Sequence, residues 1–172
     1  MNIPLTVDTI ALRDVCQMEL LHPLTRLGYN LQTTTFTYNL LNGGLRREID
    51  FAVSAEMLHI MTITDNELTP VLKIQEQNPT LTLADAALLF QCQRDRCYLY
   101  TVDSNLRKTA TIMDITVLDH SMILGRMVVQ HLLDITLATE KYYEVTRWIN
   151  RYCDTAPPVN NFPSIELMEE AC

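Results

Sequence analysis

Three aspartates lie at or near the start of helix-like runs: Asp8, Asp85 and Asp103. Asp8 and Asp103 each follow a strand-like run, "IPLTVD" and "CYLYTVD", and Asp85 lies in the apolar run "LTLADAALLF". Ligands of a parallel α/β sheet collect outside the carboxyl ends of its strands, so these acids are expected to meet in space. Carboxylate oxygens suit Mg²⁺ or Mn²⁺ better than zinc. A cation held there can polarise a phosphoryl oxygen and supply a hydroxide-like nucleophile for phosphodiester hydrolysis.

Each aspartate also has an ordinary structural interpretation. Asp8 can cap the helix that follows it, and Asp103 or Ser104 can cap the next helical run. Thr82 and Asp85 have the T-x-x-D spacing of a capping box. Taken singly, each acid is more often a cap than a ligand. Taken together, at one predicted end of the sheet, they favour a cation site.

Strand-like and helix-like segments alternate along residues 1–120. This alternation is typical of a parallel sheet covered by helices. We therefore predict a three-layer α/β domain over residues 1–120, with a central, mostly parallel sheet of about five strands. The predicted strands are 3–8, 29–36, 58–64, 97–103 and 115–119.

Residues 121–153 form a long helical segment with one apolar stripe in steps of three and four residues. Its length suggests two helices with a bend. The stripe is expected either to cover one face of the sheet or, in part, to pack against a partner. Residues 154–172 contain three prolines and an acidic end, which predicts a flexible tail.

Composition sets broad limits on the class of protein. The chain has 172 residues, 48% of them hydrophobic. Its net charge of −8 argues against a protein whose surface is basic enough to bind duplex DNA. Five cysteines without a CxxC pair favour a reducing compartment over a disulfide framework or a zinc site. There is no signal-peptide pattern, and charges interrupt the most apolar stretch. We expect a cytoplasmic protein with no membrane partner.

The segment "LADAALLFQCQRDRCYLYTVDSNLRKTATIMDITVLD" resembles the C-terminal half of a PIN domain. That family has an "aDa" helix, then a strand ending in "TxD", then "xxLRxxA" and a short strand. "IPLTVDTIAL" resembles the family's opening strand with its first acid. The resemblance implies a Mg²⁺- or Mn²⁺-dependent ribonuclease, a hydrolase that is often the toxin of a toxin–antitoxin pair. It assigns the catalytic and metal-ligand roles to Asp8, Asp85 and Asp103, with Thr101 and Asn105 as supporting polar groups.

One position departs from the family pattern. Where the family has a glutamate in the helix after the second strand, this chain has Asn39, which offers an oxygen but no negative charge. Glu48 could replace it only if the helix breaks at Gly43-Gly44. The basic residues that would contact RNA are Arg46, Arg47, Arg107 and Lys108.

Two functions from different classes are compatible with these residues. The first is a metal-dependent endoribonuclease whose partners are RNA, an antitoxin and a second copy of the chain in a homodimer. The alternative is a catalytically degenerate PIN-like binding or scaffold module. A phosphoacceptor receiver domain ranks lower, because it needs an adjacent acidic pair where this chain has Asp8-Thr9. The four histidines have no ligand spacing and are interpreted as structural or surface residues.

Overall fold

Five parallel strands form the central sheet, in the order β3-β2-β1-β4-β5. A computed structural model describes residues 3–152, with the side chains of residues 3–146. The five-stranded parallel sheet confirms the predicted α/β class. The strands are Ile3–Val7 (β1), Tyr29–Thr34 (β2), His59–Met61 (β3), Tyr98–Tyr100 (β4) and Val117–Leu118 (β5).

Helices cover both faces of this sheet. Neighbouring residues of a strand point to opposite faces and therefore into different cores. On β4, Tyr100 joins a buried cluster with Leu5 and Val7, whereas Leu99 joins a second cluster with Leu89 on the other face. The helices are Thr9–Gln17 (α1), Leu21–Thr25 (α2), Thr35–Leu40 (α3), Gly43–Ser54 (α4), Asp65–Gln77 (α5), Leu83–Asp95 (α6), Ser104–Ile112 (α7), His120–Val129 (α8) and Ile135–Tyr152 (α9).

The break between α3 and α4, at Leu41-Asn42, lies two residues earlier than the glycine pair predicts. Leu41 and Asn42 have extended backbone, and Leu41 is buried, so the chain leaves α3 to place this side chain in the core. Gly43 has a positive φ of 48° and begins α4. Glycine tolerates that conformation at little steric cost.

The C-terminal helical segment consists of two helices, α8 and α9. Residue His131 has a φ of 55° after the end of α8, and the Asp134 side chain accepts a hydrogen bond from the Thr136 N–H at the start of α9. Ala138 and Val145 of α9 belong to the same buried cluster as Leu5 of the central strand. The predicted tail, 154–172, lies outside the described residues.

None of the helices among residues 3–152 combines the length and the apolar composition that crossing a membrane requires.

Candidate functional site

The direction of the chain across the sheet changes between β1 and β4. The sheet extends from β1 to β2 and β3 on one side, and from β4 to β5 on the other. Val7 pairs with Tyr100 in the parallel register, and the Asp8 N–H donates to the Tyr100 carbonyl at 3.1 Å. Ligand sites of open α/β sheets lie at such a crevice. Asp8 and the segment after Tyr100 therefore meet at the predicted edge.

Asp8 is held by both of its carboxylate oxygens. Its side chain is buried, with 3% of its surface exposed. Oδ1 accepts from the Ala11 N–H at 2.6 Å, and Oδ2 accepts from the Thr101 hydroxyl. Thr101 Oγ1 in turn accepts from the Asp103 N–H at 3.1 Å. Thr101 thus connects the carboxylate of Asp8 with the backbone of Asp103.

The ionisation of Asp8 is opposed by its surroundings. Burial raises its pKa from 3.8 to about 6, against the hydrogen bonds from Thr101 and Ala11, which lower it. The negative charges of Asp85 and Asp103 raise the pKa further. Asp8 is therefore near enough to both of the other predicted acids to be affected by their charges, and a cation at this edge would offset that repulsion.

Asp85 and Asp103 each use one oxygen as a helix cap. Asp85 Oδ2 accepts from the Thr82 N–H at 2.8 Å and from the Thr82 hydroxyl at 2.7 Å, completing the predicted capping box. Asp103 Oδ1 accepts from the N–H groups of Asn105 and Leu106 at 2.9 and 2.8 Å. The other oxygen of each carboxylate accepts no hydrogen bond from a residue that the structure describes. Capping and cation binding are thus compatible at both positions.

The donor chemistry fits Mg²⁺ or Mn²⁺, since all the acidic groups at this edge offer oxygen. The arrangement of these acidic groups is less complete than that of a closed metal site. Among the described residues, no group of three or more His, Cys, Asp and Glu side chains is arranged closely enough to enclose a metal ion. The three aspartates therefore share an electrostatic environment without forming a closed ligand shell.

The position of the family glutamate contributes no carboxylate. Asn39 is exposed in the last turn of α3, and Asn105 is exposed in the first turn of α7. Glu48 on α4 lies beside Cys16 of α1. Burial, together with the charge and hydrogen bonding of Glu48, raises the pKa of the Cys16 thiol to about 12.

Two of the four predicted RNA-contacting residues already have partners within the chain. The Arg46 guanidinium lies 4.0 Å from the centre of the Tyr38 ring, and Arg107 forms an ion pair with Asp119 at 3.2 Å. Arg47 and Lys108 are exposed. Contact with RNA remains a prediction for all four.

Asp119 is a further acid at the same edge that the sequence did not single out as a candidate. It follows β5 and caps α8, where it accepts from the Met122 N–H at 3.0 Å. Burial opposes its ionisation, but hydrogen bonds from Ser121 and Met122 and the charge of Arg107 together lower the pKa of Asp119. Its place after "ITVL" was the available signal, because β5 ends at the same edge as β1 and β4.

A buried chain of hydrogen bonds lies behind the acids and was also missed. The Tyr100 hydroxyl is 2.7 Å from His120 Nδ1, and His120 Nε2 is 3.0 Å from Asp14 Oδ2. All three side chains are buried. His120 is therefore a buried residue that joins β4, α8 and α1. Asp14 and His120 are 106 residues apart, so one sequence gives no signal that they pair.

No family model matches the chain, and no curated protein matches it. The resemblance to PIN domains therefore rests on the three aspartates and the segment around "TVDSNLRKTA". Support for a function comes from these residues and from the geometry of the site.

Proposed function

We propose that the chain is a metal-dependent ribonuclease of the PIN type, with Asp8, Asp85 and Asp103 as the ligands of Mg²⁺ or Mn²⁺. The observation that carries the proposal is the Asp8 carboxyl at the crevice between β1 and β4, whose ionisation is opposed chiefly by its burial and further by the charges of Asp85 and Asp103. A buried charge needs compensation. A divalent cation supplies it at the place where an α/β sheet binds its ligands.

When bound, the cation would polarise a phosphoryl oxygen and lower the pKa of a coordinated water. The protein's own residues fix the ligands in advance. Thr101 and the Ala11 N–H hold the two oxygens of Asp8, and the first N–H groups of α7 hold one oxygen of Asp103. Rigid support of this kind is what a catalytic constellation requires.

The finer parts of the proposal derive from the resemblance. RNA is the proposed substrate, and its phosphates would contact Arg47 and Lys108, which are exposed, together with Arg46 and Arg107. An antitoxin protein and a second copy of the chain are the proposed partners, in the cytoplasm. The negative net charge predicts weak binding to nucleic acid away from this site.

Cleavage of RNA tests this function directly. Asp103→Asn keeps an acceptor oxygen for the cap of α7, because asparagine caps helices as well as aspartate does. It removes one ligand charge. We expect Mn²⁺-dependent cleavage of a single-stranded RNA pool by the wild type and at least a hundredfold loss in the variant, measured by gel or fluorescence.

Asp65→Asn is the matched control, since Asp65 is exposed in the first turn of α5. It should cleave like the wild type. Cleavage that survives Asp103→Asn unchanged would contradict the assignment of the site.

The second candidate is a degenerate PIN-like binding or scaffold module. Asn39 favours it, because the position that resembles the family glutamate is exposed and uncharged, and Glu48 lies beside Cys16 instead. This function predicts no metal-dependent cleavage by the pure protein. Cleavage that depends on the three aspartates would exclude it.

A further inference from the structure

Two cysteines, Cys92 and Cys97, are held together at the end of α6. The helix ends with Arg96 in the left-handed conformation, at a φ of 51°. The Cys97 N–H donates to the Cys92 carbonyl at 3.2 Å. A hydrogen bond from an N–H to the carbonyl five residues earlier is typical of a Schellman motif at the end of a helix. In that motif the side chains of the two bonded residues often contact each other. Both positions are occupied here by thiols, and the two thiols are near enough to shift each other's pKa.

A polar relay reaches one of the two sulfurs. Cys97 Sγ lies 3.0 Å from Thr6 Oγ1, which accepts from Gln32 Nε2 at 3.0 Å. Thr6 keeps its hydroxyl hydrogen while it accepts from that amide, so it can donate to the Cys97 sulfur when this is a thiolate. Hydrogen bonds from Cys92, Thr6 and Gln32 lower the pKa of Cys97 to about 7, against burial and the charge of Asp95.

The partner thiol has the opposite tendency. The hydrogen bond that it gives to Cys97, and its burial, raise the pKa of Cys92. In the reduced pair, the ionisation of Cys97 is therefore favoured over that of Cys92. An attacking thiolate beside a resolving thiol is the arrangement that thiol–disulfide exchange uses.

Both cysteines line a cavity of about 320 Å³. Arg96, Met113 and Asp114 contribute to its wall. The cavity lies at the start of β4 and β5, at the opposite edge of the sheet from the acids. The residues themselves are only 1% and 4% exposed, so a small reactant would have to approach the two thiols from this cavity.

We propose that Cys92 and Cys97 form a reversible dithiol–disulfide site that reacts with small-molecule disulfides in this cavity. The Cys97 thiolate attacks one sulfur of the small disulfide, its S–S bond breaks, and one small thiolate leaves. The Cys92 thiol gives its proton to that thiolate and attacks Cys97 in the mixed disulfide, releasing the second small thiolate, which takes a proton from water. Two protein thiols are oxidised to one disulfide, and one small disulfide is reduced to two thiols.

Peptide mapping tests the proposal on the full chain. The protein is incubated with oxidised glutathione, its free thiols are alkylated, and it is digested with trypsin without reduction. Arg94 and Arg96 lie between the cysteines, so trypsin separates residues 74–94 from residues 97–107. We expect these two peptides to be recovered joined by a disulfide, and to separate after treatment with excess dithiothreitol.

Two comparisons sharpen the test. Cys16 should not react with oxidised glutathione, because its pKa is raised to about 12, so its peptide should be recovered without glutathione and without a disulfide link. Cys92→Ser should trap glutathione on Cys97, and Cys97→Ser should lose both the linked peptide and the adduct. In the wild type, glutathione that stays on Cys97, a link to another cysteine, or two unreacted thiols would each overturn the proposal.

Discussion

Asp8 is the residue at which stability and the proposed function oppose each other. Burial and the neighbouring charges raise its pKa, so the ionised carboxylate destabilises the folded state. Thr101 and Ala11 offset part of that cost by hydrogen bonding. A carboxyl group with a perturbed pKa in a crevice of the sheet is a candidate for a functional site.

This conflict predicts how stability depends on pH. The pKa of Asp8 is about 6 in the folded state and 3.8 in the unfolded state. Between pH 3.8 and pH 6, the folded state therefore holds a proton on Asp8 that the unfolded state has lost. The stabilisation by protonated Asp8 is complete below 3.8 and is lost as the pH rises through 6. At about 1.4 kcal/mol per pKa unit, the loss is about 3 kcal/mol at pH 7.

Asp8→Asn should remove this dependence, because it has no charge: its amide oxygen can accept from the Ala11 N–H, and its NH2 group can donate to Thr101 Oγ1. We expect the variant to have a larger free energy of unfolding than the wild type at pH 7.5. This difference between the two proteins should be about 1 kcal/mol larger at pH 7.5 than at pH 5. Urea unfolding at the two pH values measures it. Asp65→Asn should show no change in margin. A margin for Asp8→Asn that is independent of pH would contradict the account.

At the scale of elements, the buried Tyr100–His120–Asp14 chain fixes three elements behind the acids. Tyr100 precedes Thr101 on the same segment, and Asp14 lies on the helix that Asp8 caps. Losing one member of a buried polar network leaves its partner without a hydrogen bond, which costs about 1–3 kcal/mol.

Tyr100→Phe should therefore lower the free energy of unfolding by about 1–3 kcal/mol, measured by urea unfolding. Tyr98→Phe is the matched control. Tyr98 lies two residues earlier on the same face of β4, and its hydroxyl has no hydrogen-bond partner among the described residues. The control should change stability by less than about 0.5 kcal/mol. Equal effects of the two variants would show that the network contributes nothing specific.

Local patterns also explain which elements could be predicted. All five strands follow from β-branched and apolar runs, and the T-x-x-D pattern predicts the cap at Asp85. The break near Gly43 was misplaced, because burial of Leu41 decides it and glycine alone does not. The hydrogen bonds of His120 join positions distant in the chain, and no local pattern encodes such pairs.

At the scale of the whole molecule, the order of the strands determines what can be predicted about the site. Parallel strands bring Asp8 and Asp103 to one edge, so topology alone predicts their meeting. The same topology places the Cys92–Cys97 pair at the other edge, where spacing in the sequence offered no reason to look. Whether three carboxylates without the family glutamate bind a cation is decided by distances and charge, which no pattern contains.

Calorimetric titration of the metal-stripped protein with Mn²⁺ tests the central claim most directly. The wild type should bind Mn²⁺, and Asp85→Asn/Asp103→Asn should bind it at least ten times more weakly while keeping both helix caps. Asp65→Asn/Asp114→Asn changes the net charge equally at exposed positions and should bind like the wild type. Equal binding by all three proteins, or binding by none, would contradict a metal site formed by Asp8, Asp85 and Asp103.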